Sequence, residues 1–93
     1  MNKYEVLYIL NASLDDSAKD ELIEKFKTVV TAGGGSVESV DKWGVKKLAY
    51  EINFKNDGYY VLMNFTAPPT LPDELERQMR ISDNVMRFLV VRK

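Results

Sequence analysis

The sequence has no cysteine and no histidine. Without cysteine there is no disulfide and no thiolate metal site, and a reducing compartment is permitted. Without histidine the commonest general base and the commonest zinc ligand are both missing. Positive charge is not in excess either: 13 lysines and arginines face 14 acidic residues, for a net charge of −1. The chain as a whole is therefore not drawn to nucleic acid, and any RNA contact has to use a local patch. Long apolar runs are also lacking. The opening MNKYEVLYIL carries one lysine and a short apolar run interrupted by Glu5. It fits neither a signal peptide nor a membrane span, so no membrane association is expected.

What is present is ordinary for one soluble globular domain. The 93 residues are 45% hydrophobic and 29% charged, enough for one modest core, so residues 1–93 are read as a single domain. The stretch 41–54, DKWGVKKLAYEINF, holds the only tryptophan, Trp43. Leu48, Tyr50, Ile52 and Phe54 alternate with polar residues, the signature of a half-buried strand. Gly44 inside that pattern marks a bulge or a close backbone approach. Lys46 and Lys47 follow it. Lysines on an edge strand guard against stray pairing, and lysines at a kink can also meet phosphate; on sequence alone both readings stand.

The first strand covers residues 3–11. Tyr4, Val6, Tyr8 and Leu10 form an apolar face suited to the core, and Glu5, Leu7, Ile9 and Asn11 lie opposite. A strand apolar on both sides is usually central in its sheet. A polar turn at residues 11–16 offers Ser13, Asp15 and Ser17 as helix caps. The helix that follows runs to about Ala32, with Leu22, Phe26, Val29 and Val30 as its apolar stripe. Gly33, Gly34 and Gly35 end it. A phosphate loop would precede a helix rather than follow one, which excludes that use of the glycines. The second strand runs from near Val37 into the tryptophan stretch. Asn56, Asp57 and Gly58 are expected to make a tight hairpin turn. The third strand, residues 59–66, again has two apolar faces: Tyr59, Val61, Met63 and Phe65 on one, Tyr60, Leu62 and Asn64 on the other. Pro68 and Pro69 break it. A second helix follows to about Ile81, with Thr70 and Asp73 as a capping box, Pro72 in its first turn, and Leu71, Leu75, Met79 and Ile81 as its stripe. Val85–Arg92 is the last strand, with Leu89 and Val91 on one face and Phe88, Val90 and Arg92 on the other.

The order β-α-β-β-α-β, with right-handed crossovers and a hairpin between the middle strands, leads to an α+β ferredoxin-like sandwich. Its four-stranded sheet has the order 4-1-3-2, with two helices on one face. Leu7, Ile9, Tyr60 and Leu62 are then left on the uncovered face, and a contiguous apolar patch of that kind usually marks a binding site. Catalysis is not expected. The carboxylate pairs Asp15/Asp16 and Asp73/Glu74 both fall at helix starts, where acids favour the helix dipole. The loop after strand one has no arginine with which to cradle phosphate as an acylphosphatase would. No metal, cofactor or small-molecule substrate is indicated. An RRM-type reader of single-stranded RNA shares the architecture, but its third-strand motif is matched poorly by residues 57–64, and Tyr8 falls in the core set. A small self-associating ferredoxin-like regulatory module is the other alternative.

Several runs together resemble the bacterial small-subunit ribosomal protein six family. They are Tyr4-Glu5, Trp43-Gly44 followed by Lys46-Lys47-Leu48-Ala49-Tyr50 and Ile52, Gly58-Tyr59-Tyr60, and Arg80-Ile81 followed by Asp83-Asn84-Val85, Arg87 and Val90-Val91. The similarity spans nearly the whole chain in order. It implies a structural, non-catalytic constituent of the small ribosomal subunit in the cytoplasm, binding 16S ribosomal RNA as a heterodimer with small-subunit protein eighteen. Some members carry a charged tail beyond the last strand. The present sequence ends at Lys93, so nothing tied to such a tail carries over. In this setting Lys3, Lys46, Lys47, Arg80, Arg87 and Arg92 are the expected RNA contacts, meeting phosphates rather than reading bases. Arg80 has an alternative use in pairing with Asp83 or Glu76. Leu7, Ile9, Trp43, Tyr60 and Leu62 are the expected partner-protein surface, although Trp43 would also suit a plug at the end of the core.

Overall fold

The computed structural model describes the backbone of residues 1–52 and 55–93 and the side chains of residues 1–47 and 57–93. The elements are β1 (Asn2–Leu10), α1 (Asp16–Ala32), β2 (Ser36–Ile52), β3 (Lys55–Ala67), α2 (Leu71–Ile81) and β4 (Val85–Arg92). The sheet order is β2-β3-β1-β4, with every pairing antiparallel. This is the expected ferredoxin-like order. The two strands that are apolar on both faces, β1 and β3, lie at its centre, in register from Asn2↔Ala67 to Leu10↔Tyr59.

One face of this pair forms the floor of the core. Val6, Tyr8, Leu10, Val61, Met63, Phe65 and Ala67 are fully buried there. Ile23, Phe26 and Val30 of α1 pack on them, as do Leu71, Leu75 and Met79 of α2. The rings interlock at two points. Tyr4 stacks on Phe65 at 5.5 Å, and Tyr8 meets Phe26 edge to face at 5.4 Å, the arrangements that ring quadrupoles favour. The α1–β2 connection needs its glycine: a Cβ on Gly35 would lie 2.6 Å from the Thr66 carbonyl oxygen. Among the three candidate caps of α1, Asp15 does the work, accepting from the Ala18 amide at 2.8 Å.

Four local expectations are corrected. The buried stripe of α1 is Lys19, Ile23, Phe26 and Val30, with Leu22 and Val29 at its margin. The stripe is turned toward Ile23 because Lys19, a residue that composition alone assigns to solvent, is only 7% exposed and holds its ammonium 4.7 Å from the Tyr59 ring centroid. Its aliphatic stem covers the core while the ring meets the charge. Ile81 is 60% exposed. It lies two residues past Met79, roughly 200° around the helix and so on the far side. Thr70 makes no side-chain cap bond. Its backbone is already helical rather than extended, so its hydroxyl cannot take the usual N-cap position. Asp57 and Gly58 do not form the hairpin turn. They pair inside the ladder with Lys47 and Lys46, and the strands continue to Ile52↔Lys55. Pairing of the two strands beyond Asp57 carries the connection further along than the Asp-Gly signal suggests. The alternating side chains of Leu48, Tyr50, Ile52 and Phe54 lie outside the described residues.

The Tyr8 hydroxyl is buried without a hydrogen-bond partner among the described residues. Burial, and after it the negative groups at Tyr59 and Glu24, push its ionisation far above the ordinary tyrosine value. A buried polar group without a partner opposes folding. Tyr8→Phe should therefore leave stability unchanged or raise it by up to about 1 kcal/mol. Leu75→Ala, which opens a cavity in the same core, should cost about 2–5 kcal/mol. Denaturant midpoints compare the two, and a loss of core-truncation size in Tyr8→Phe would show that the hydroxyl is satisfied.

On the surface of α2, Arg77 donates to Glu74 through Nε at 2.9 Å and Nη2 at 2.8 Å, and Gln78 donates at 2.9 Å. These bonds, Arg77's first, lower the Glu74 carboxyl from 4.5 to about 2. Because the folded value is depressed, the stabilisation is fully present above the ordinary value and is lost as pH falls through the interval down to about 2. Carboxyl NMR titration should place the Glu74 midpoint near 2 and, in Arg77→Ala, return it toward 4.5. Equal midpoints in the two proteins would refute the pairing.

Candidate functional site

The helices leave the opposite face of the sheet uncovered, and the register states what lies there. One row across the sheet runs Gly44, Tyr60, Ile9, Arg87. The next runs Asp41, Leu62, Leu7, Leu89, and the third Ser39, Asn64, Glu5, Val91. Leu7, Tyr60 and Leu62 are half-buried by their neighbours, and Ile9 is buried to 8% exposure, so it forms the floor of this face rather than its surface. Leu89 and Val91 are the exposed aliphatics, at 60% and 46%. Leu7, Ile9, Arg87, Phe88 and Leu89 line a notch of about 140 Å³ between β1 and β4. The third row is polar. Lys93 reaches it, 3.6 Å from Glu5 and hydrogen-bonded to Asn64. Tyr8 faces the helices, so the aromatic that an RRM-type reader would need on its first strand is absent from this surface.

Trp43 reaches the same face through a break in β2. The register slips between Lys42↔Val61 and Gly44↔Tyr60, and Gly44 takes a φ of +85°. That left-handed conformation suits glycine and identifies the bulge expected from the sequence. Trp43 is the extra residue. Its indole lies parallel to the Tyr60 ring, 8° between planes and 6.4 Å between centroids, and it is 44% exposed. It does not plug the core. The Lys46 ammonium stands 5.1 Å from its centroid.

The six expected cations do not form one patch. Lys3, Lys46 and Arg87 share the open face, the first by alternation with Glu5, the second over Trp43, the third opposite Ile9. Lys47 pairs with Asp57 and Arg92 with Tyr4, which puts both on the helix side. Arg92 there bonds the Asn2 side chain at 3.2 Å. Arg80 lies over the Phe88 ring at 5.9 Å, and among the described residues it pairs with neither Asp83 nor Glu76. Lys46 and Arg87 stand three strand spacings and two residues apart at one end of the sheet, roughly 16 Å, and Lys3 is roughly 20 Å away along β1. The cations bracket the apolar face instead of covering it. Among the described residues no group of acids could hold a metal ion, and no helix is long and apolar enough to cross a membrane. A larger cleft of about 400 Å³ between the end of α1 and the start of α2 is lined, among the described residues, by one ionisable group, Glu74, which Arg77 already engages.

A family model described as ribosomal protein S6 matches residues 3–92. The chain belongs to the ribosomal protein S6 family. Members of the S6 family are structural components of the small ribosomal subunit, in the bacterial cytoplasm, and are not enzymes. Among relatives named small ribosomal subunit protein bS6, that of Clostridium novyi is 60% identical over 91 residues, covering 98% of this chain and 96% of the relative. That of Clostridium acetobutylicum is 56% identical with the same coverage. The crystal structure of 30S ribosomal protein S6 from Thermotoga maritima superposes with a TM-score of 0.94 at 26% identity, over 99% of this chain and 87% of that one. Within this S6-family fold, sequence reasoning missed Leu89, Val91 and Lys93 as parts of the open face. Alternation had grouped Leu89 with Val91, but only pairing to β1 shows which side they take.

The bulge that presents Trp43 depends on Gly44, and among the described residues, apart from its two chain neighbours, no atom lies within 4 Å of where its Cβ would be. The cost of Gly44→Ala is therefore purely conformational, about 1–2 kcal/mol. Thermal melts should show that loss along with a shifted Trp43 emission. No loss would mean that β2 relaxes out of the bulge freely.

Proposed function

We propose that this chain is a structural constituent of the small ribosomal subunit that binds 16S ribosomal RNA together with small-subunit protein eighteen, as a heterodimer. One observation carries the reading. The sheet face left bare by the helices is apolar along its middle, through Leu62, Leu7 and Leu89 beside Ile9, with Val91 exposed at the β4 edge, and cationic at its margins, through Lys3, Lys46 and Arg87. An apolar patch of this kind on a small soluble chain is an interaction surface. In this reading Leu7, Ile9, Tyr60 and Leu62 carry the partner protein, with Trp43 at the rim of that surface. Lys46, Arg87 and Lys3 extend past it to RNA phosphate, and Lys47, Arg80 and Arg92 meet phosphate from the helix side. A chain of net charge −1 then binds RNA through local cations and through its partner's contacts.

The test is a salt titration of binding to a 16S platform fragment, with and without protein eighteen. Tight, salt-sensitive binding is expected only with both proteins present. Leu62→Ala should weaken the protein pair by more than 1 kcal/mol, the size of a central interface contact. Arg87→Ala should reduce the salt slope of RNA binding by about one. Equal binding by this chain alone would favour an independent single-strand reader. A stable homodimer with no RNA affinity would favour the self-associating module.

A further inference from the structure

Leu7, Leu62, Leu89 and Val91 present aliphatic surface, which suits a protein. Trp43 and Tyr60 present something else at the edge of the same face. Two rings lie parallel, the outer one is 44% exposed, and a lysine ammonium stands 5.1 Å from its centroid. A nucleobase is a flat ring tethered to a phosphate. It binds by stacking on an exposed aromatic while a cation meets the phosphate. The geometry points to Trp43, backed by Tyr60, as a stacking platform for one unpaired base of RNA, with Lys46 turning from the indole to that nucleotide's phosphate. This rests on the RNA-binding reading above and deepens it, because the chain then touches a base as well as phosphates.

Three features favour a base over a protein side chain here. The lysine–indole contact is exposed and weaker than base stacking, so a base can displace it. The space beside the bulge is open: among the described residues, and apart from its two chain neighbours, nothing lies within 4 Å of a Cβ built on Gly44. The charges also set a direction. Asp41, opposite Leu62, shares the open face on the side of the platform toward the middle of the sheet and repels phosphate, whereas Lys46 lies beyond the platform the other way along β2. Asp57, opposite Lys47, is on the helix side and does not share the open face.

Because Trp43 is the only tryptophan, its emission reports the contact directly. The full chain is titrated with single-stranded hexaadenylate and with an RNA duplex of six pairs, in wild type, Trp43→Leu, Trp43→Phe and Lys46→Ala. Emission is followed in wild type and Lys46→Ala, and affinity in every protein is read from the anisotropy of fluorescein-labelled RNA, because the Trp43 variants contain no tryptophan. Circular dichroism melts confirm that each variant is folded. Hexaadenylate should quench Trp43 and the duplex should not. Trp43→Leu should weaken hexaadenylate binding about tenfold and Trp43→Phe should restore most of it. Lys46→Ala should lower the salt dependence and keep the quenching. Unchanged emission up to millimolar hexaadenylate, equal quenching by the duplex, or unchanged affinity in Trp43→Leu would each overturn the platform. So would a Trp43→Leu variant that loses affinity for protein eighteen while binding hexaadenylate normally. Failure of the protein pair to bind the 16S fragment, with stacking intact, would count against the ribosomal placement and leave the platform supported.

Discussion

Two helices can cover only one face of this four-stranded sheet, and most of the molecule follows from that. The central strands must be apolar toward the helices, and β1 and β3 meet this with Val6, Tyr8, Leu10, Val61, Met63 and Phe65. Their other sides are shielded only by each other and by the edge strands. Leu7 and Leu62 stay half-buried there while Leu89 and Val91 stand in water. An uncovered apolar face is costly for a free chain. In a family whose members work inside an assembly, that face is the surface we propose a partner completes.

The edges are handled differently from the centre. β2 is long, and an unbroken edge strand invites pairing with another chain. Its ladder with β3 shifts register between Val37 and Ser39, between Lys42 and Gly44, and between Lys47 and Ile52. Such irregularities bend an edge away from stray partners. One of them also turns Trp43 onto the open face. The bulge that protects the edge and the one that exposes Trp43 on the open face are here the same, at Trp43 and Gly44. The opposite edge, β4, carries Arg87 and Arg92 on alternate sides, so it is charged whichever way it is approached.

Electrostatics follow the same division. The ion pairs Glu74–Arg77 and Glu24–Lys27 lie within single helices, and Lys42–Asp20 ties β2 to α1. All are exposed, and exposed pairs contribute little to stability. Lys19 is the exception in kind. Its charge is held over Tyr59, where the core would otherwise expel it. The cations assigned to RNA carry mainly ring contacts or amide bonds, as Lys46, Arg80 and Arg92 do, and such contacts are easily exchanged for phosphate.

The element order and connection rules led to the 4-1-3-2 sheet, and the two-sided apolarity of β1 and β3 agreed with their central place, because side-chain spacing and burial are local properties of a strand. The run of motifs from Tyr4 to Val91 was enough to indicate the family. Local signals failed where long-range pairing competed with them. Asp57-Gly58 reads as a turn, but pairing with Lys46 and Lys47 draws it into the ladder. Thr70 reads as a cap, but its backbone is already helical. Ile23 and Lys19, rather than Leu22 and Val29, lie nearest the core, since the phase of a helix is set by the surface it meets. The candidate site shows the same boundary. Sequence named Leu7, Tyr60, Leu62 and Trp43, whose residue types carry their own signal. Only strand register could do the rest: β4 on β1 adds Leu89 and Val91 and separates Arg87 from Arg92, and β2 on β3 separates Lys46 from Lys47. Which side of a sheet a residue takes depends on strand partners far away in the chain, and that was decided by tertiary structure alone.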